Sequence, residues 1–132
     1  MNVKIDTKEI FHVISILDKE LTANMSALFM AIIAKKQEED AKSLILDLSH
    51  VDLIDQSFAS GLKSLSTNCY ADQKSFVICN MKDAIKETLA AWGILDDLNT
   101  TPTESEAWDI VQMEEIEREL LDSDDMEFST QE

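Results

Sequence analysis

The chain has 132 residues, of which 45% are apolar, with two glycines, one proline, two cysteines and a formal net charge of −16. That length holds one core rather than two, and the acidity argues against direct contact with nucleic acid or anionic membrane, both of which select Lys and Arg. Cys69 and Cys79 form no Cys-x-x-Cys pair and there is no His cluster, which argues against a disulfide or zinc framework. No apolar run reaches membrane-spanning length, and no basic segment leads into an apolar one at the N-terminus, so a soluble, cytoplasmic protein is expected.

In chain order, Val3–Ile10 and Phe11–Leu17 read as two strands, the second dense in Val13, Ile14, Ile16 and Leu17. A helix is expected from Thr22 to about Gln37, with Leu21, Met25, Leu28 and Ile32 on one face and Lys35 and Lys36 near its end. Leu44–Leu48 is short and almost wholly apolar, which suits a buried central strand. It runs into an acidic loop, and Phe58, Leu62 and Leu65 then recur at helical spacing. That second helix begins near Ser57 and fades by Cys69–Tyr70. Phe76–Cys79 reads as another core strand, with Cys79 a buried free thiol.

A third helix from about Lys82 to Trp92 buries Ile85, Leu89 and Trp92, and Gly93 stands where a left-handed cap is expected. Asp96–Thr103 has room for a short edge strand, which Pro102 suits. The fourth helix starts near Glu104–Ser105, with Ile110, Met113, Ile116 and Leu120 as its apolar stripe. Ser123–Glu132 has too little apolar material to pack, giving a domain over residues 1–122 and a disordered acidic tail over 123–132. Strands alternate with helices after the opening pair, the pattern of an α/β layer structure with a mainly parallel sheet.

The chemistry-bearing stretch is the loop after Leu48. It puts Asp55, Gln56 and Ser57 at a helix N-terminus, where amides are unpaired and negative charge is favoured. Asp47, Asp52 and Asp55 lie within nine residues; they suit helix capping by Asp55 and surface placement for the others better than a magnesium site. Ser57 can serve as the cap instead. A receiver domain would need paired acids after its first strand and a late lysine, whereas Asp6 is followed by Thr7 and no lysine follows Lys86. Ser57, His50 and Asp55 come with no Gly-x-Ser-x-Gly elbow, and two glycines cannot make a phosphate loop. No catalytic residue, cofactor or metal ligand is therefore assigned. Trp92, Trp108, Met25, Met30, Met81 and Met113 read as packing.

Residues 104–132 hold 12 acidic side chains and one arginine, −11 net, leaving −5 on the body. Such a segment is a solvated face and tail, and it also permits a basic protein partner.

Several segments together resemble the STAS domain family of bacterial anti-sigma-factor antagonists. The family's Asp-Ser-Ser/Thr-Gly-Leu motif, phosphorylated on its first hydroxyl residue, stands here as Asp55-Gln56-Ser57-Phe58-Ala59. Asp18-Lys19-Glu20-Leu21-Thr22 is similar to the Gly-Glu-Leu-Asp before the first helix. Leu89–Ile94 and Ser105–Trp108 are similar to the Leu-x-x-x-Gly-apolar and Glu-Ala-apolar elements. The similarity covers roughly Met1 to Leu121.

The resemblance implies a single domain with a mixed four- to five-stranded sheet packed with about four helices. It also implies a non-enzymatic signalling role, with an anti-sigma factor or histidine-kinase-like ATPase as partner. The implied partner surface is Asp52, Asp55, Gln56, Ser57 and Ser60. Gln56 cannot accept phosphate, so binding is expected to be constitutive unless Ser57 has become the phosphoacceptor. The alternative is a STAS scaffold or a module sensing a small ligand, nucleotide or lipid, within a larger assembly. A homodimer is compatible with the sequence.

Overall fold

Leu44, Ile45 and Leu46, like Phe76, Val77 and Ile78, are at most 1% exposed, so their two strands are covered on both faces. Strands buried in this way need parallel neighbours and helices above and below the sheet. The computed structural model describes residues 1–131, with side chains described for 1–121.

Its elements run β1 (Val3–Thr7), β2 (Phe11–Ile16), β3 (Glu20–Leu21), α1 (Ala23–Glu39), β4 (Ser43–Asp47), β5 (Leu53–Ile54), α2 (Gln56–Ala71), β6 (Phe76–Cys79), α3 (Asp83–Ala91), a 3₁₀ turn (Leu95–Asp97), β7 (Asn99–Thr101) and α4 (Glu104–Gln131). The main sheet has the order β1-β2-β4-β6-β7; β1 and β2 are antiparallel and every later pairing is parallel. This is the mixed sheet with four helices that the family resemblance implies, and β7 takes the edge position expected near Pro102.

Two-residue alternation sorts the sheet's side chains to two sides. Ile14, Ile16, Leu44, Leu46, Phe76 and Ile78 meet the buried residues of α1, α2 and α3. Phe11, Val13, Ile45, Val77 and Cys79 meet Ala107 and Val111 of α4. His12 is fully buried and structural, one ring nitrogen 2.9 Å from Thr7 Oγ1 and the other 2.7 Å from the Asp40 carbonyl oxygen. Gly61 lets α1 approach α2, since a Cβ there would lie 3.1 Å from Met30 Cε.

Two helix faces differ from expectation. In α1 the buried residues are Phe29 and Ile33, Phe29 stacking against Phe58 at 5.4 Å, while Leu28 is 56% exposed. Apolar residues occur on most of this helix's circumference, and the bulky aromatic ring takes the inward position. In α4 the inward face is Ala107 and Val111, flanked by half-buried Trp108 and Ile110, while Met113, Ile116 and Leu120 are more than half exposed. The helix lies flat on the sheet over Ile45, Val77 and Cys79, where small side chains fit and long ones do not. Met113 is thus not a packing residue.

Thr103 caps α4 by accepting the Glu106 amide at 3.3 Å. The side chains of the expected acidic tail lie outside the described residues. Among those described, no helix is long and apolar enough to cross a membrane.

Helices α2 and α3 end in the same way. Gly93, at φ +72°, donates to the Ala90 carbonyl and Ile94 to that of Leu89, both at 3.0 Å, a Schellman cap with glycine in the left-handed position. Gln73, at φ +62°, repeats this with Gln73 N–H on Tyr70 O and Lys74 N–H on Cys69 O. Left-handed backbone costs a residue bearing a Cβ about 1–2 kcal/mol, partly offset by glycine's greater unfolded freedom. Thermal or urea melts should therefore show Gln73→Gly stabilising by about 0.5–1 kcal/mol and Gly93→Ala destabilising by about 1–2 kcal/mol.

Burial pushes the thiol of Cys69 up to about 11 and that of Cys79 up to about 12, from an ordinary value of 9.0. Acids raised on folding favour the native state below their unfolded value, and that contribution disappears as pH climbs through the folded value. Stability should hold to about pH 9 and decline towards pH 11–12. At pH 8 both thiols should react with a disulfide reagent at least about tenfold more slowly in native protein than in urea.

Candidate functional site

Strand β4 delivers the chain to the C-terminal edge of the sheet, where parallel α/β folds present their loops. Leu48 and Val51 are fully buried and pin the loop from below; Leu48 N–H donates to Cys79 O at 3.1 Å and Val51 N–H to Leu48 O at 3.0 Å. Asp47 Oδ1 accepts the Ser49 amide at 2.9 Å and Asn80 Nδ2 at 3.3 Å, tying the ends of β4 and β6 together. Asn80 itself is in the left-handed region at φ +59°.

The loop then pairs with the segment before α1. Asp52 and Leu53 amides both donate to Lys19 O, at 2.7 and 3.1 Å, and the Asp55 amide donates to Leu21 O at 2.8 Å, forming the small parallel pair β3–β5. This pairing brings the first turn of α1 within reach of Asp55. Asp55 occupies the N-cap position of α2, yet its carboxylate makes no cap bond there; Oδ2 accepts the Ala23 amide, at the start of α1, at 2.9 Å. Asp55 is thus a cap for the neighbouring helix. Ser57 lies two residues inside α2 and is not the cap, because Asp55 already holds that position.

The five residues expected at a partner surface, Asp52, Asp55, Gln56, Ser57 and Ser60, are all exposed and lie on the loop end and first turns of α2. The exposed side chains continue along the helix with Ser64, Thr67 and Asn68. Over its 16 residues α2 has no acidic side chain and one basic one, Lys63, which pairs with Asp97 at 3.1 Å. Within a chain of 27 carboxylates α2 thus offers an acid-free, hydroxyl-rich face with one lysine.

Beside it lies a groove of about 500 Å³ lined by Asp18, Lys19, Glu20, Met25, Asp52 and Leu53. Lys82 crosses from the start of α3 to pair with Asp52, and this hydrogen bond holds the Asp52 carboxyl below its ordinary value. The pair is exposed and screened, so it orients the loop more than it stabilises the fold. Lys82 and the half-exposed Leu53 were not legible as site residues, since nothing local links position 82 to position 52. Asp47, Asp52 and Asp55 each serve a different partner, and among the described residues no three metal-capable side chains converge. His50 Nδ1 lies 3.2 Å from Ser49 Oγ, and among the described residues Ser57 makes no hydrogen bond to it.

The sequence matches the STAS domain family over residues 4–107. Its fold is similar to that of a serine-to-glutamate variant of RsbS from Moorella thermoacetica, with 21% identity, TM-score 0.70 and coverage of 85% of this chain and 96% of that one. The anti-sigma factor antagonist SpoIIAA in its unphosphorylated form is similar with 17% identity, TM-score 0.69 and coverage of 84% and 96%. A chain of the stressosome, a signal integration and transduction hub, is similar with 18% identity, TM-score 0.64 and coverage of 83% and 96%. No curated protein matches the chain by sequence.

The shared cap gives a test of the site's construction. Asp55→Ala removes the acceptor of the Ala23 amide and should cost about 1–2 kcal/mol in urea unfolding. Exchange of the Ala23 amide should accelerate with it. The Lys82→Ala change, which breaks an exposed and screened pair, should leave the urea midpoint nearly unchanged.

Proposed function

The chain belongs to the STAS domain family, and on that footing we propose that it is a non-enzymatic signalling module of the anti-sigma-antagonist kind. Its partner, an anti-sigma factor or histidine-kinase-like ATPase, docks across the loop 49–55 and the exposed first turns of α2. The observation that carries this reading is one exposed surface in which Asp52 and Asp55 of the loop lead into Gln56, Ser57 and Ser60 on the acid-free helix α2. Along the exposed side of α2 a docking protein meets hydroxyls and amides beyond Asp52 and Asp55, at the positive end of a helix.

Gln56 occupies the first position of α2, is exposed and carries no hydroxyl. The module therefore stays binding-competent without a phosphate switch. A specific observation also favours a second route, since the exposed Ser57 hydroxyl makes no hydrogen bond among the described residues. Phosphate there would add about −1.5 to −2 charges beside Asp55, at the start of an acid-free helix.

A sensing role for the same fold finds support in a different place. A groove of about 530 Å³ opens between the C-terminal halves of α1 and α2, with Met30, Ile33, Leu65 and Cys69 among its lining and Lys74 beside them. That composition suits a lipid chain better than a nucleotide, and native mass spectrometry of purified protein would detect such a ligand.

Affinity capture from native lysate with wild-type and Ser57→Asp baits tests the primary reading. Because Ser57 is not the helix cap, the substitution adds charge without removing a cap bond. Wild type should recover an anti-sigma-type ATPase and Ser57→Asp should lose it by at least about tenfold, the loss produced by about 1.4 kcal/mol. Equal recovery of the same scaffold or transporter subunits by both baits would overturn the antagonist reading. Stoichiometric phosphate on Ser57 in cells would overturn the constitutive version alone.

A further inference from the structure

Helix α4 uses one face to cover the sheet and leaves a second apolar face uncovered. Ala107 and Val111 are buried against β2, β4 and β6, so the helix is anchored by that side. On the far side Met113 is 58% exposed, Ile116 54% and Leu120 56%. The spacing of three and four places Met113, Ile116 and Leu120 in one ridge along two turns. Isolated exposed apolar residues are ordinary, but a ridge of three on a helix already anchored elsewhere marks a contact surface.

Charge selects the occupant. Between Glu104 and Leu121 the helix has seven acidic side chains and one arginine, and that arginine is engaged with Glu115 at 3.1 Å and Ser75 at 3.2 Å. Glu117 and Glu119 lie in the ridge's own two turns, both exposed. A second copy of the same helix would bring like charges face to face, and an anionic lipid surface would be repelled. A helix whose own apolar stripe is flanked by Lys and Arg meets both demands, apolar contact at the centre and opposite charge at the margins.

We propose that the outward ridge Met113–Ile116–Leu120 of α4 is a docking site for a basic amphipathic helix of a partner protein. This surface is on the opposite side of the sheet from the helices α1, α2 and α3 and does not depend on the reading of the α2 face.

The probe is a labelled 18-residue Lys/Leu peptide with leucines in an i, i+3, i+7 pattern, followed by fluorescence anisotropy at 0.15 M salt with the full chain. The control peptide has the same composition with its leucines dispersed. Wild type should bind the amphipathic peptide at least about tenfold more tightly than the control, the difference expected from burying two or more large apolar side chains. The double variant Ile116→Asp/Leu120→Asp makes the chain more acidic. Simple charge attraction would therefore leave its binding unchanged or tighter, whereas ridge docking requires a loss of at least about tenfold.

Both positions are exposed, and circular dichroism should show an unchanged fold. Gln56→Lys, at the other surface, should leave peptide affinity within about twofold. Equal affinity for both peptides, or undiminished binding by the double variant, would overturn the proposal. So would sedimentation showing a wild-type dimer that the double variant dissolves, since the occupant would then be a second copy.

Discussion

Strand β4 must be sealed on all sides, and the rest of the fold follows from that. Its backbone is hydrogen-bonded to β2 on one edge and β6 on the other, and Leu44, Ile45 and Leu46 project alternately to two covered faces. Parallel neighbours on both edges oblige the chain to cross over the sheet between strands, and each crossover supplies a helix to cover it. The same geometry forces the functional loop to the C-terminal edge, where β4 runs out at Asp47.

At that edge one carboxylate fixes two connections. The Asp55 amide donates to Leu21 O in the chain entering α1 and its carboxylate accepts the Ala23 amide of that helix's first turn, so the loop before α2 and the loop before α1 form a single unit. A helix-capping signal was legible at Asp55; which helix it caps was not. The assignment depends on the β3–β5 pair, two residues long on each side, which carries no periodicity a sequence could display. The Asp52–Lys82 link escapes local reading for the same reason, because thirty residues and a strand intervene.

What the chain announced most clearly was what short-range chemistry decides. Dense apolar runs at 44–48 and 76–79 gave central strands, Gly93 gave a left-handed cap, and the acidic loop running into Phe58, Leu62 and Leu65 located the start of α2. Helix orientation was less accessible. In α1 Phe29 and Leu28 compete for one inward direction, and volume decides. In α4 the sequence shows a good apolar stripe but has no means of showing that the sheet prefers Ala107 and Val111. Periodicity identifies an apolar face without identifying what it faces.

The two sides of the sheet are electrically unlike. Helices α1, α2 and α3 together carry no net charge, whereas α4 carries seven acidic side chains and one arginine along Glu104–Leu121. With the sheet between them, the net negative charge carried by the helices lies on the α4 side. A cationic protein approaching from any direction experiences a torque before it makes contact, one that turns the α4 side towards it and the neutral helices away. Encounters of this kind have a preferred orientation at low ionic strength and lose it as the Debye length shrinks below the thickness of the domain.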